Sequence, residues 1–176
     1  MNEKNVPSRE EIMATFMKYA TPSEHHKVLE PLIGNWDCAT TVWMEPGAPP
    51  NNSKGSSEAK WILGGRFVQE NVAGDMGGMP FHGLGIFGYD NFKQKYLWFW
   101  MDEMATSCMI STGSTDASGT VLTFEGICDN MISGKPSSFK TIVHIIDSNK
   151  HSFEMHIQGL DGKMFKNFEV EYTRKK

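Results

Sequence analysis

From Gly34 to the end of the chain, short runs rich in Val, Ile, Thr, Phe, Trp and Tyr alternate with clusters of Gly, Asn, Asp, Ser and Pro. That punctuation marks strands joined by turns. About ten strands are expected, near Asn35–Met44, Glu58–Leu63, Phe67–Val72, Phe81–Tyr89, Tyr96–Asp102, Ser107–Ser114, Thr120–Cys128, Ser138–Asp147, Ser152–Gln158 and Met164–Arg174. No helical stretch separates them, so parallel crossovers are excluded and neighbours pair antiparallel. The regular spacing, with no internal repeat or domain boundary, suits a meander, sandwich or barrel.

Alternation assigns the faces. Phe168, Val170 and Tyr172 oppose Glu169, Glu171 and Thr173; Phe153, Met155 and Ile157 oppose Glu154, His156 and Gln158; Leu122 and Phe124 oppose Thr123 and Glu125. One apolar and one solvated face is what a barrel wall presents. Tyr96–Met101 is apolar on both faces, so its outer side needs a cover.

Residues 1–33 read as a helical arm. Ser8-Arg9-Glu10-Glu11 fits a capping box, followed by an apolar stripe at Ile12, Met13, Phe16, Met17 and Ala20. Thr21-Pro22-Ser23-Glu24 restarts the signal, with Thr21 as cap, and a short helix ends before Pro31 and Gly34. The arm is expected to pack on the outer side of Tyr96–Met101. Burying Phe16 and Met17 there would stabilise by roughly 1.5–3 kcal/mol for each side chain. Residues 34–176 form the barrel domain.

Composition narrows the function. With 176 residues, 39% hydrophobic and 22% charged, the chain can bury a core without disulfides or metal. Cys38, Cys108 and Cys128 are too few and scattered for a disulfide framework or zinc site. A net charge of -4 argues against a nucleic-acid partner. No apolar run approaches the roughly 20 residues of a membrane span. The stretch Met1 to Glu11 is charged and polar, without a signal-peptide pattern, so a cytoplasmic location is expected. A homodimer is compatible with all of this.

The body's two ends carry a resemblance. Gly34-Asn35-Trp36 opens the first strand and Tyr172-Thr173-Arg174-Lys175 closes the last. This resembles the calycin arrangement of lipocalins, fatty-acid-binding proteins and nitrobindins, in which a tryptophan plugs the closed barrel end beneath a late basic residue. The longer match covers Pro31–Trp36, Ile62–Phe67, Gly83–Asp90, Trp100 with Asp102 and Thr106, Gly113–Asp116, Leu122–Gly126 and Tyr172–Lys175. By these segments the chain is similar to a bacterial family known as domain of unknown function 1579. The resemblance implies an all-β, antiparallel up-and-down barrel of about ten strands, lipocalin-like, behind the N-terminal arm.

Closure makes a geometric demand. If Arg174 stacks on Trp36, the last strand ends where the first begins, which requires an even strand number. The Trp36 end then holds the connections Gly64–Arg66, Asn91–Lys95, Thr115–Gly119 and Ser148–His151. The opposite end holds Glu45–Ser57, Ala73–Pro80, Glu103–Thr106, Asp129–Ser137 and Gly159–Lys163. The proline- and glycine-rich stretch Glu45–Ser57 is expected as a loop forming a lid or rim over a cavity.

Candidate chemistry is sparse. His25 and His26 are adjacent on a short helix and diverge by about 100°, while His144 and His156 fall on the solvent face. No metal or haem is therefore expected, and no nitrobindin-like haem motif is present. Gly74, Gly77, Gly78, Gly83, Gly85 and Gly88 lack the helix a dinucleotide loop needs, and read as curvature relief or close approach. Cys38 and Cys108 read as inert core residues. Asp102, at the mouth beside Trp98 and Trp100, needs a donor such as Thr106 or a loop amide.

The leading expectation is a barrel that binds a small apolar or amphipathic molecule. Its lining would be Trp61, Trp100, Phe124, Met155, Phe168 and Tyr172, with Asp102 near the mouth and Trp36 and Arg174 as the barrel-closing pair. The alternatives are an enzyme using Asp102 with Arg66 for acid–base chemistry, and a structural protein with a solid core.

Overall fold

A computed structural model of the chain describes residues 6–131, 133–159 and 161–176. The charged start at residues 1–5, Ile132 and Leu160 lie outside the described residues. Helices α1 (Arg9–Ala20) and α2 (Glu24–Lys27) and a 3-10 turn (Glu30–Leu32) precede ten strands. These are β1 (Gly34–Val42), β2 (Asn51–Ile62), β3 (Phe67–Met76), β4 (Met79–Asp90), β5 (Lys95–Asp102), β6 (Met109–Thr115), β7 (Val121–Asn130), β8 (Lys135–Asp147), β9 (Lys150–Gln158) and β10 (Met164–Arg174). Each pairs antiparallel with its neighbours in sequence, and β10 pairs with β1, closing the barrel. Closure satisfies every strand edge.

The register meets the closure demand: Trp36 sits opposite Arg174. Strand ends extend beyond expectation at the other end. Asn51–Ser57, expected in a loop, is the first half of β2, paired along its length with β1. Ladder pairing overrides the weak strand preference of Asn, Ser and Gly. The expected long loop Ala73–Pro80 is a tight hairpin in which Gly77 and Gly78 both have positive φ. Asp75 Oδ1 accepts the Gly78 N–H at 2.8 Å. The β1–β2 connection, residues 43–50, does lie at the end opposite Trp36.

The arm departs from expectation more sharply. The Ser8–Glu11 capping box forms, yet α1 buries none of its residues; Phe16 is 66% and Met17 60% exposed. Thr21 closes α1 by bonding the Met17 carbonyl, and Ser23 starts α2. The outer side of Tyr96–Met101 is not covered by the stripe: Leu97 and Phe99 are half-buried and Met101 is exposed. The arm's burial lies instead in His26, Leu29 and Leu32, which join the core at the closed end. Asn91 clips it there, donating to the Tyr19 and Thr21 carbonyls and accepting from Ser23 Oγ. Tyr96 donates to the His25 carbonyl.

The lower half of the barrel is solid. Trp36, Val68, Phe87, Trp98, Leu122, Phe124, Phe139, Val143 and Phe153 fill it. Trp36 donates its indole N–H to the Leu32 carbonyl at 3.0 Å.

Candidate functional site

Above that packed layer the inward residues become smaller. Thr40 and Val42 on β1, Ser53 and Gly55 on β2, Val72 and Gly74 on β3 and Val170 on β10 leave a cavity of ≈ 620 Å³. Large side chains, among them Trp100, Met155, Phe168 and, lower, Trp98 and Tyr172, complete its wall. Gly83 makes the Trp100 position possible, because a Cβ there would collide with the indole. Gly83, and Gly88 against Phe67 on β3, thus act by close approach.

The rim belongs to the end opposite Trp36 and includes Met44, Asn51, Asp75, Met76, Phe81 and Asp102. Asp102 takes one of the donors expected, a loop amide, from Met104 to Oδ1 at 2.9 Å, and adds one not expected, Trp100 Nε1 donating to Oδ2 at 2.6 Å. The carboxylate orients an indole of the cavity wall.

Arg66 does not share this site. It lies in the β2–β3 turn at the closed end, where Nη1 donates to the Leu63 carbonyl at 3.1 Å. An Asp102–Arg66 acid–base pair is therefore corrected by topology, since the two groups occupy opposite ends of the barrel. Of the expected lining, Trp100, Asp102, Met155, Phe168 and Tyr172 border the cavity. Phe124 is fully buried in the packed layer, 6.1 Å from Phe87. Trp61 is half-buried against the core near the β2–β3 turn.

Two polar groups of the cavity escaped sequence reasoning. Glu70 sits in its floor, 8% exposed, with Ser57 Oγ donating to Oε1 at 2.7 Å. The Tyr172 hydroxyl lies beside this carboxyl. Burial pushes the Glu70 carboxyl above the usual carboxylate range, against the opposing pull of Ser57 and Tyr172. Burial raises Tyr172 well above the phenol range, and burial with Glu70 beside it raises the Cys38 thiol to about 12. The available signal was parity: Val68 and Val72 face inward on β3, so Glu70 between them does too.

Asn167 is the second. The β9–β10 register shifts between Lys166 and Phe168, and both Asn167 and Phe168 border the cavity. Such a bulge re-aims a side chain. Asn167 Oδ1 is buried without a hydrogen-bond partner among the described residues. Phe165 and Phe168, three apart in a strand of period two, were the sequence trace of this bulge.

The histidines and cysteines divide. His144 and His156 are half-buried on the outer wall, His156 3.1 Å from Glu154. His151 is buried, stacked on Tyr172 at 4.2 Å and edge-on to Trp36 at 4.3 Å. Cys38 is buried, but Cys108, expected in the core, is exposed in the β5–β6 connection. That strand begins only at Met109, so Cys108 escapes its inward face. Among the described residues no group of three or more His, Cys, Asp or Glu is arranged to hold a metal ion. None of their helices is long and apolar enough to cross a membrane.

The model of the family described as "Protein of unknown function (DUF1579)" matches residues 21–174. The chain belongs to this family. The DUF1579 match begins at the residue where α1 ends, so it takes in the closed-end cap as well as the barrel. No curated protein matches. The fold of this DUF1579 chain is similar to that of Rv2717c from M. tuberculosis, with a TM-score of 0.65 and 13% identity over 89% of this chain and 100% of that one. A redesigned β-barrel aligns over 85% of this chain and 96% of its own, with 11% identity and a TM-score of 0.43.

Proposed function

We propose that this barrel binds a small apolar or amphipathic molecule in the cavity opposite the Trp36 plug. The observation that carries this reading is the contrast between the barrel's two halves. Below Trp98 the interior is packed solid by aromatic and aliphatic side chains. Above it, small inward residues leave ≈ 620 Å³ walled by Trp100, Met155, Phe168 and Val170. That volume falls within the roughly 300–1,000 Å³ of small-molecule pockets. A barrel evolved only as a solid scaffold has no need of small residues on one half of its inner wall.

The wall's chemistry supports a ligand with an apolar body. Methionine adapts to varied shapes, and Trp100 is held in one orientation by Asp102. Three free cysteines favour a reducing, cytoplasmic setting as part of this proposal.

Native mass spectrometry of the protein purified under mild conditions, with solvent extraction of the same sample, tests the reading. A retained small molecule, or saturable binding of the neutral dye Nile red that shifts tryptophan emission, is the expected result. A protein that neither retains a molecule nor binds any neutral apolar probe would reject it.

A further inference from the structure

The cavity's charged groups are distributed in a way that bears on which ligands it accepts, an inference that rests on the binding reading above. Among the described lining residues there is one cation, Lys54, and it lies at the exposed outer end of β2. The acids are Asp75 and Asp102 near the rim and Glu70 in the floor. No Arg or His borders the space.

We propose that the cavity selects neutral amphipathic molecules that enter polar end first, a hydroxyl or carbonyl meeting Glu70, and that it rejects carboxylates of the same shape.

The floor is built for this. Ser57 from β2 donates to the Glu70 carboxyl, which fixes its orientation, and Tyr172 from β10 lines the same floor. Cys38 borders the same floor. A carboxylic acid that keeps its proton offers one O–H donor beside its acceptor oxygens. It can therefore donate to a carbonyl or exchange hydrogen bonds with a hydroxyl. Its burial favours that protonated form. Along the wall, Thr40 and Asn167 offer further neutral polar groups.

An anionic head group has no comparable seat. At the floor it would lose its water with no cation near it. Burying a charge unpaired is costly. A fatty-acid carboxylate thus has only the rim, where Lys54 is opposed by Asp75 and Asp102. The apolar middle, Val72, Trp100, Met155 and Phe168, takes the tail in either case. Asp102 lies four steps along β5 from Trp98, about 13 Å, which suits a chain the length of octanol.

The test compares octanol with octanoate at neutral pH, each displacing Nile red from the intact protein, in the wild type, in Glu70→Gln and in Glu70→Leu. Octanol should bind tighter than octanoate by roughly tenfold or more, equivalent to at least about 1.4 kcal/mol. Glu70→Gln keeps a neutral donor and acceptor, so octanol binding and the discrimination against octanoate should both persist, whereas Glu70→Leu, which offers neither, should weaken octanol binding. Octanoate binding as tightly as octanol would assign the head group to Lys54 and overturn the inference, while leaving the cavity reading intact. The wild-type comparison decides this even if a variant folds poorly. Octanol binding unchanged in a folded Glu70→Leu protein would also overturn it. If Nile red, octanol and octanoate all fail to bind, the cavity reading falls and this inference with it.

Discussion

The Arg174 guanidinium carbon lies 4.1 Å from the centre of the Trp36 ring. The same group ties β10 to two other chain segments: Nε donates to the Ser148 carbonyl at 2.6 Å, Nη1 to Ile33 at 2.8 Å and Nη2 to Pro31 at 3.4 Å. Gly34 has φ of 141° and no Cβ, which leaves a path for the guanidinium. The plug is thus an indole, a planar cation and a glycine acting together.

Arg174→Lys should destabilise the barrel. Lysine keeps the charge but not the fork that reaches three carbonyls. The expected loss is about 1–3 kcal/mol from the hydrogen bonds and the ring contact. Urea denaturation measures it, and a variant as stable as the wild type would contradict this account of closure.

Stability should depend on pH through His151. Burial, and secondarily the Arg174 charge, lower its pKa from 6.5 to about 3. The unfolded chain binds a proton on this residue below pH 6.5, and the folded chain does not until about pH 3. The stabilisation is therefore present above the higher value and lost as pH falls toward the lower one, with a limiting slope of roughly 1.4 kcal/mol per pH unit. Glu70 acts in the opposite sense. Its raised pKa makes the unfolded chain lose its proton first, so its contribution falls as pH rises above the usual carboxylate range. In denaturant titrations across this range, His151→Phe should flatten the acid-side loss and Glu70→Gln should steepen it.

Thiol reactivity should separate the cysteines. Cys108 is exposed, whereas Cys38 is buried with a thiol held near 12. Only the thiolate reacts. A disulfide reagent at neutral pH should label Cys108 rapidly and Cys38 only after unfolding. Cys128, half-buried with its thiol 3.7 Å from the Ser137 carbonyl, should fall between them. Rapid labelling of Cys38 in the folded protein would contradict its place in the cavity floor.

Gly83→Ala should impair the cavity more than the fold. The added methyl displaces the Trp100 indole, and overpacking of this kind costs about 1–3 kcal/mol. The indole's bond to Asp102 should break with it. Weaker Nile red binding, together with a shift in tryptophan emission, is the expected readout.

Asn91→Ala should release the arm. Asn91 makes all three of its bonds to residues 19–23. Hydrogen exchange in residues 21–32 should accelerate while exchange in β7–β9 stays unchanged. Equal protection in wild type and variant would assign the cap's stability to Leu29 and Leu32 alone.

How much was legible in the chain depended on the range of the interaction. Strand parity placed Trp100, Met155, Phe168 and Tyr172 on the inner wall, because side-chain alternation is local to each strand. The same parity held Glu70, but a charged residue between apolar neighbours was passed over. Asn51–Ser57 was invisible as a strand, since its pairing with β1 arises from the ladder and not from its own preferences. Phe124 and Trp61 show a further limit: alternation tells inside from outside but not height along the barrel axis.

The sequence by itself determined the antiparallel meander, its strand number and the joining of its first and last strands at Trp36 and Arg174. Turn chemistry, period-two patterning and the absence of intervening helices are enough for the meander and its strand number, while the joining of its ends followed from the resemblance carried by Gly34-Asn35-Trp36 and Tyr172-Thr173-Arg174-Lys175. Only the tertiary structure decided that the lower interior is solid and the upper hollow, and that α1 leaves its stripe exposed. Those outcomes depend on which side chains share a level inside the closed wall. That is set by strand tilt and register acting over the whole sheet, and no local pattern encodes it.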